Sequence, residues 1–188
     1  ESSFAGHYDG CGHVIKNGNI ETTDGHLTAG IFSIVTGTVT RLGVENITVQ
    51  GLHNAARIGA IAGRVNGSGV ISNCYVKNCT VTSDVASVAG GIVGDMYDQA
   101  VISNCFTLGN TLNGSRTGQI CADTDNSTQQ ITRCYTDENQ LINQGPATVT
   151  DCSTSITEYQ LKSGEICYLL NGATSANNVV WRQTIGTD

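Results

Sequence analysis

Three aromatic residues recur at nearly equal spacing and could form a carbohydrate-binding surface. Tyr75, Phe106 and Tyr135 each directly follow a cysteine, and successive members are 31 and 29 residues apart. If the cysteines face the interior, alternation along a strand places the three rings on the outside. Exposed apolar stripes often mark binding sites, and rings at this spacing could receive sugars. The alternative, which the sequence favours, is a structural column half-buried under a neighbouring turn or loop.

Four aspartates fall at corresponding places in two successive repeats. The alignment places Asp95 beside Asp123 on adjacent turns, with Asp98 and Asp125 in the same loops. Calcium takes six to eight oxygen ligands, which loops of this kind can supply. A solvated acidic rim without metal is the more common arrangement. Calcium is therefore kept as a hypothesis, and no other cofactor is expected.

A polysaccharide-active enzyme is the alternative for the same carboxylates, since lyases and hydrolases of β-helix fold pair acidic groups with a base or with each other. The bases near them are Arg64, Arg116 and Arg133, and no site can be assembled from these residues. A Gly-x-Ser-x-Gly nucleophile motif is also missing from the sequence. We therefore predict no catalytic residues.

Eight cysteines could suggest four disulfides, but the repeat predicts another role. Cys74, Cys105, Cys134 and Cys152 align in one inward column, and Cys79 aligns with Ile47 of the preceding repeat. A buried thiol behaves as a small apolar side chain, so we expect mostly reduced cysteines in the core. The four histidines lack metal-ligand spacing and are expected to be structural: His7, His13, His26 and His53.

These residues are positioned by an imperfect repeat of about 30 residues. Its clearest copies are residues 58–81, 89–112 and 117–141, and weaker copies cover 4–20, 29–49 and 147–152. Val81, Leu112 and Leu141 form a second column with the same intervals as the cysteines. Each repeat holds two or three short strands with no helical period between them. We predict an all-β fold, a right-handed parallel β-helix (β-solenoid) of about five turns. An antiparallel sandwich has no reason to repeat in register, so it is disfavoured.

Composition and charge restrict the function. Gly is frequent, with 23 residues, and charged residues make up only 13%, which suits short strands joined by tight turns. The formal net charge of −7 disfavours binding to the phosphates of nucleic acids. No apolar run approaches the roughly 20 residues of a membrane-spanning helix. Because the chain begins at Glu1 without Met, we expect a mature segment that has lost a signal peptide and belongs to a larger protein with flanking domains.

The C-terminal residues depart from the repeat, so we divide the chain into solenoid repeats over 1–154 and a capping segment over 155–188. Residues 155–172 predict a short helix or pair of turns interrupted near Ser163-Gly164, with Ser155 or Thr157 as N-cap. A final strand is expected over 179–186. Trp181, the only tryptophan, is expected to close the core at that end of the solenoid.

Several segments resemble the GLUG repeats of bacterial surface and secreted proteins, including IgA-peptidase-like and adhesin-like proteins of gut Bacteroidetes. The resemblance is carried by Ala29–Phe32, Ala89–Gly94 and Ile102–Cys105, by an entry segment Phe4–Ile15, and by the closing segment with Leu161–Glu165 and Trp181–Asp188. The stretches Gly30–Ser33 and Gly118–Cys121 lack the second glycine of the motif, so the first and fourth turns are expected to deviate. The resemblance implies a solenoid in an extracellular or cell-surface setting and implies no reaction.

The sequence therefore predicts a non-catalytic extracellular module that is adhesin-like and contacts glycans or a host or surface protein, or serves as a spacer between domains. The alternative is a polysaccharide lyase or hydrolase of β-helix fold. An enzyme should gather carboxylates and a base in one groove, whereas a binding module needs only aromatic and polar side chains on display.

Overall fold

The computed structural model describes residues 2–22, 27–52, 56–83, 87–138, 145–173 and 179–184. The chain winds into a β-solenoid whose four complete turns each contain five short strands. The first turn contains β1 (Ser3–Phe4), β2 (His7–Asp9), β3 (Val14–Lys16), β4 (Asn19–Glu21) and β5 (Thr28–Ala29). The second contains β6 (Phe32–Val35), β7 (Thr38–Thr40), β8 (Gly43–Glu45), β9 (Thr48–Gly51) and β10 (Arg57–Gly59). The third contains β11 (Ala62–Val65), β12 (Val70–Ser72), β13 (Tyr75–Lys77), β14 (Thr80–Ser83) and β15 (Val88–Gly90).

The fourth turn contains β16 (Val93–Met96), β17 (Val101–Ser103), β18 (Phe106–Leu108), β19 (Thr111–Asn113) and β20 (Arg116–Gly118). An incomplete fifth follows with β21 (Cys121–Thr124), β22 (Gln130–Thr132) and β23 (Tyr135–Thr136), and β24 (Thr148–Thr150) lies beyond it. Each strand pairs in parallel with its equivalent one turn away, which confirms the parallel β-helix and excludes the antiparallel sandwich. The expectation of two or three strands per turn was too low, and the handedness stays a prediction.

The register confirms the columns read from the sequence. Tyr75 pairs with Phe106 and Phe106 with Tyr135, so the preceding residues Cys74, Cys105 and Cys134 stack in one column. These three thiols are fully buried, and all eight cysteines of the chain are free. Cys152 extends the column at one end, as predicted, and Leu42 occupies the same column one turn before Cys74. In the second column Val81 pairs with Leu112, and Leu141 lies outside the described residues.

Single residues with left-handed backbone conformation separate the short strands. Asn73 and Asn104 have φ values of 54° and 53° at one corner, and Asn46 and Asn78 both have 53° at the next. Asparagine tolerates this conformation better than other residues with a β-carbon. This explains why asparagine precedes cysteine in the repeat: the asparagine turns the corner and the cysteine enters the core.

The second glycine of the repeated motif, which is Gly63 in one turn and Gly94 in the next, allows two strands to approach closely. A β-carbon on Gly63 would lie 2.6 Å from the amide nitrogen of Ala29, and one on Gly94 would lie 2.6 Å from that of Ile58. Ser33 and Ala122 occupy this column in the neighbouring turns. Their strands nevertheless pair in register, so the deviation expected there is not observed.

The C-terminal segment contains α1 (Glu158–Lys162) and α2 (Glu165–Leu170). Thr157 caps α1 with a capping box, and Gly164, at φ 82°, interrupts the helices at the predicted place. The predicted final strand is wrong for residues 179–184, which form no strand, and 185–186 lie outside the described residues. No helix in the described part of the chain is both long and apolar enough to cross a membrane.

Candidate ligand-binding cleft

The three aromatic residues form the predicted column, but their rings stack on one another. Tyr75 and Phe106 lie with ring centroids 5.2 Å apart and planes only 7° from parallel. On the other side of Tyr75, a β-carbon built on Gly43 would lie 2.6 Å from the tyrosine ring, so this ring covers the glycine backbone. Both faces of Tyr75 are therefore occupied within the column. A sugar ring has no free face of Tyr75 on which to stack.

The column is half-buried under the C-terminal segment, which agrees with the structural alternative that the sequence favoured and not with an open stripe. Tyr135 is only 4% exposed and packs with Ile156, Ile166 and Leu170 of the C-terminal segment. Trp181 lies over the other two rings, with its centroid 5.2 Å from that of Phe106 and 6.4 Å from that of Tyr75. The plane of the Trp181 ring is tilted by about 60° from both of these rings. Trp181 therefore covers the side of the solenoid, whereas the sequence predicted that it closes the core at the end.

We call residues 156–173 and 179–184 the strap, because they run back from the last turn along the sheet of β3, β8, β13, β18 and β23. Asn171 fastens the end of the strap. Its side-chain oxygen accepts hydrogen bonds from the backbone N–H groups of Val180 and Trp181, at 3.1 and 3.0 Å. Its side-chain nitrogen donates to the carbonyl oxygens of Cys167 and Trp181, both at 2.9 Å. One amide side chain thus fixes the tryptophan backbone relative to α2.

A cleft of about 520 Å³, the strap cleft, opens between this sheet and the strap. Its size lies within the range of small-ligand sites, which are mostly apolar with a few polar groups. The apolar wall consists of Tyr75, Phe106, Leu108, Leu161, Ile166, Leu170 and Trp181. The charged rim consists of Glu45, Lys77, Glu158, Lys162 and Arg182.

Two smaller clefts share walls with the strap cleft. One of about 330 Å³ also contains Tyr75, Trp181 and Arg182, and reaches the turn at Cys11. The other, of about 200 Å³, contains Asn73 and Arg133 and shares Leu170 with the strap cleft. Trp181 is therefore bordered by open space on more than one side. Its buried indole N–H has no acceptor among the described residues, so packing alone does not satisfy this side chain.

An ion-pair network orders the floor of the strap cleft. The Tyr75 hydroxyl donates to Oε1 of Glu45 at 2.7 Å, and Lys16 Nζ lies 2.8 Å from Oε2. The lysine and then the tyrosine hydroxyl lower the pKa of Glu45 below its usual range. Burial, assisted by the bond to this carboxylate, raises the pKa of Tyr75. The tyrosine therefore stays neutral and the glutamate stays ionised at physiological pH.

The four aspartates considered for calcium are held by the protein itself. Asp95 and Asp123 are adjacent in register as predicted, but each binds arginine. Arg64 donates two hydrogen bonds of 2.9 Å to Asp95, and Arg57 also contacts that carboxylate. Burial raises the pKa of Asp95 even though both arginines act in the opposite direction. Arg116 pairs with Asp123.

The other two aspartates bind neighbouring groups in their turns. Asp98 accepts a hydrogen bond from the Gly67 amide at 3.2 Å, and Asp125 accepts from the side chains of Asn126 and Gln129. Across the described residues, no group of three or more His, Cys, Asp and Glu side chains is placed to hold a metal ion. The placement of these carboxylates gives the calcium hypothesis no support.

Of the histidines, His7 and His13 lie in the first turn and His26 and His53 lie outside the described residues.

Sequence reasoning missed the strap cleft, although two signals were present. Trp181 is the only tryptophan of the chain. A column of apolar rings on a sheet face is expected to be packed against another segment of the chain and not left in solvent. Glu45 pairs in register with Lys77, which lies two residues after Tyr75. The contact between Glu45 and Tyr75 could therefore be predicted from the register.

A comparison of the chain with protein families, with curated proteins and with solved structures finds no match. The resemblance to GLUG repeats accordingly stays a prediction from the sequence.

Proposed function

We propose that this chain is a non-catalytic extracellular module of a bacterial surface or secreted protein, and that it binds carbohydrate in the strap cleft. The observation that carries the proposal is the cleft of about 520 Å³, with one tryptophan in an apolar wall and charged groups at its rim. The extracellular setting rests on the resemblance to repeats of bacterial surface proteins.

Carbohydrate fits this cleft because sugars present both apolar C–H faces and hydroxyl groups. Since Tyr75 and Phe106 stack on each other, Trp181 supplies the aromatic surface of the cleft. The rim supplies donors and acceptors that can bind hydroxyl groups. The solenoid strands hold Glu45 and Lys77, and the Asn171 side chain fixes the backbone of Trp181, which lowers the entropy cost of binding.

The charged state of the rim argues against a general acid at this site. Glu45 pairs with Lys16, and Glu158 lies 2.5 Å from Lys162. Both pairings lower the pKa of the carboxyl group. A general acid for glycoside cleavage needs a raised pKa, so neither group suits that role.

The test is a glycan-array screen of the wild type and a Trp181→Ala variant, with Tyr159→Ala as the control. Tyr159 is 78% exposed and does not line the strap cleft, so its loss removes an aromatic ring without changing the site. We expect binding by the wild type and the control, loss in the Trp181 variant, and no release of reducing ends from bound glycans.

Equal binding by all three proteins would place the site elsewhere on the solenoid. Absence of binding by the wild type would contradict the proposal and favour a spacer or a module with a protein partner. Release of new reducing ends would contradict the non-catalytic part and favour the enzyme alternative.

A further inference from the structure

Positive charge is concentrated around the strap, although the chain as a whole is acidic. Of the nine Lys and Arg residues in the sequence, five line the strap cleft or the two clefts that adjoin it. They are Arg41, Lys77, Arg133, Lys162 and Arg182. Among the acidic residues that the structure describes, the same clefts contain two, Glu45 and Glu158.

The remaining arginines lie on other faces of the solenoid and are neutralised there. Arg57 and Arg64 bind Asp95, and Arg116 binds Asp123. Around the strap, Arg41 pairs with Asp9 and Lys162 with Glu158, but two other cations keep their charge available. Lys77 and Arg182 are both exposed, and neither forms an ion pair with any described residue.

We propose that the ligand of the strap cleft is a carboxylated sugar, such as a uronic or sialic acid unit of an acidic glycan. This inference rests on the proposed carbohydrate-binding function. The sugar ring packs on Trp181, and its carboxylate binds Arg182, whose planar guanidinium can donate two parallel hydrogen bonds. Lys77 lies across the same cleft and contributes a second positive charge.

The adjoining clefts extend this surface for a longer acidic chain. Arg133 lies in the cleft of about 200 Å³ beside Asn73, whose side-chain amide forms no hydrogen bond within the described part of the chain. An amide of this kind can donate to and accept from hydroxyl groups. A sugar chain suits this combination better than an acidic peptide, because peptide carboxylates lack the neighbouring ring hydroxyls.

The experiment is a titration of the fluorescence of Trp181, the sole tryptophan, with tetragalacturonate and with its fully methyl-esterified form. The two probes share one sugar backbone and differ in charge. Sialyllactose and lactose form a second pair that separates sialic from uronic acids. We expect the acid of at least one pair to bind roughly tenfold more tightly than its neutral partner, with added salt reducing the difference.

Arg182→Gln and Lys77→Gln should each remove most of this preference, while Arg116→Gln, which removes one positive charge on another face, should leave it unchanged. Equal affinity for acidic and neutral probes would overturn the carboxylate inference while leaving carbohydrate binding intact. If no sugar of either kind changed the fluorescence and the glycan array were also silent, the proposed function itself would be wrong. Equally tight binding of poly-glutamate would show a general anion surface and would also overturn the inference.

Discussion

Replacing Gly94 with alanine tests the close approach of strands inside the solenoid. A β-carbon at this position would lie 2.6 Å from the carbonyl oxygen of Gly63 and 2.6 Å from the amide nitrogen of Ile58. Both neighbours are backbone atoms of paired strands, so neither can move without disturbing its sheet. Overpacking of this kind costs about 1–3 kcal/mol of unfolding free energy.

Gly18→Ala is the matched control, because its nearest neighbour would be the flexible end of Ile47 at 3.5 Å. That distance is ordinary contact, so reduced freedom of the unfolded chain should stabilise this variant by about 0.4–1 kcal/mol. In urea denaturation followed by circular dichroism, the midpoint of Gly94→Ala should fall by about 0.5–1 M and that of Gly18→Ala should stay or rise. Equal midpoints for the two variants would refute the close approach, and with it the packing assigned to the repeated glycine motif.

Three further outcomes follow from the structure. Thiol titration of the unfolded protein should find eight reactive cysteines, and in the native protein the exposed Cys11 should react first; a count near zero would mean disulfides. Asn171→Ala should release Trp181 and shift its fluorescence to the red with the β-sheet circular dichroism preserved, and an unchanged spectrum would show that the amide does not hold the strap. Burial raises the pKa of Tyr135 to about 12. The stability that the neutral, buried tyrosine contributes should therefore be complete below pH 10 and be lost between pH 10 and 12. Urea midpoints and tyrosinate absorbance measured across this pH range would show the loss. Ionisation of every tyrosine near pH 10 would contradict the burial of this ring.

The columns of the solenoid could be predicted because equivalent positions in successive repeats keep the same type of residue, either inside the core or outside it. Cys74, Cys105 and Cys134 were recognised from their spacing alone, and the register confirms the column. The division of each turn into five strands was missed, since a single left-handed residue is enough to end a strand. Asn73 and Asn78, five residues apart at successive corners, were the available signal.

The site was harder to predict because it depends on where the strap returns. Sequence periodicity describes each turn but carries no information on a non-repeating segment that folds back along the sheet. The cap at Thr157 and the break at Gly164 follow from local chemistry and were predicted, whereas the contact of Trp181 with Phe106 is long-range and was not. The partner of Asp95 was readable, because Arg64 occupies the same column one turn earlier.

Carbohydrate binding in the strap cleft is tested most directly by a crystal structure of the protein grown with the oligosaccharide that gives the strongest signal on the array. Binding at this site predicts electron density for a sugar ring in the strap cleft, in contact with Trp181 and with a polar group at Arg182. Density for the sugar on another face of the solenoid, with the strap cleft holding only solvent, would contradict it.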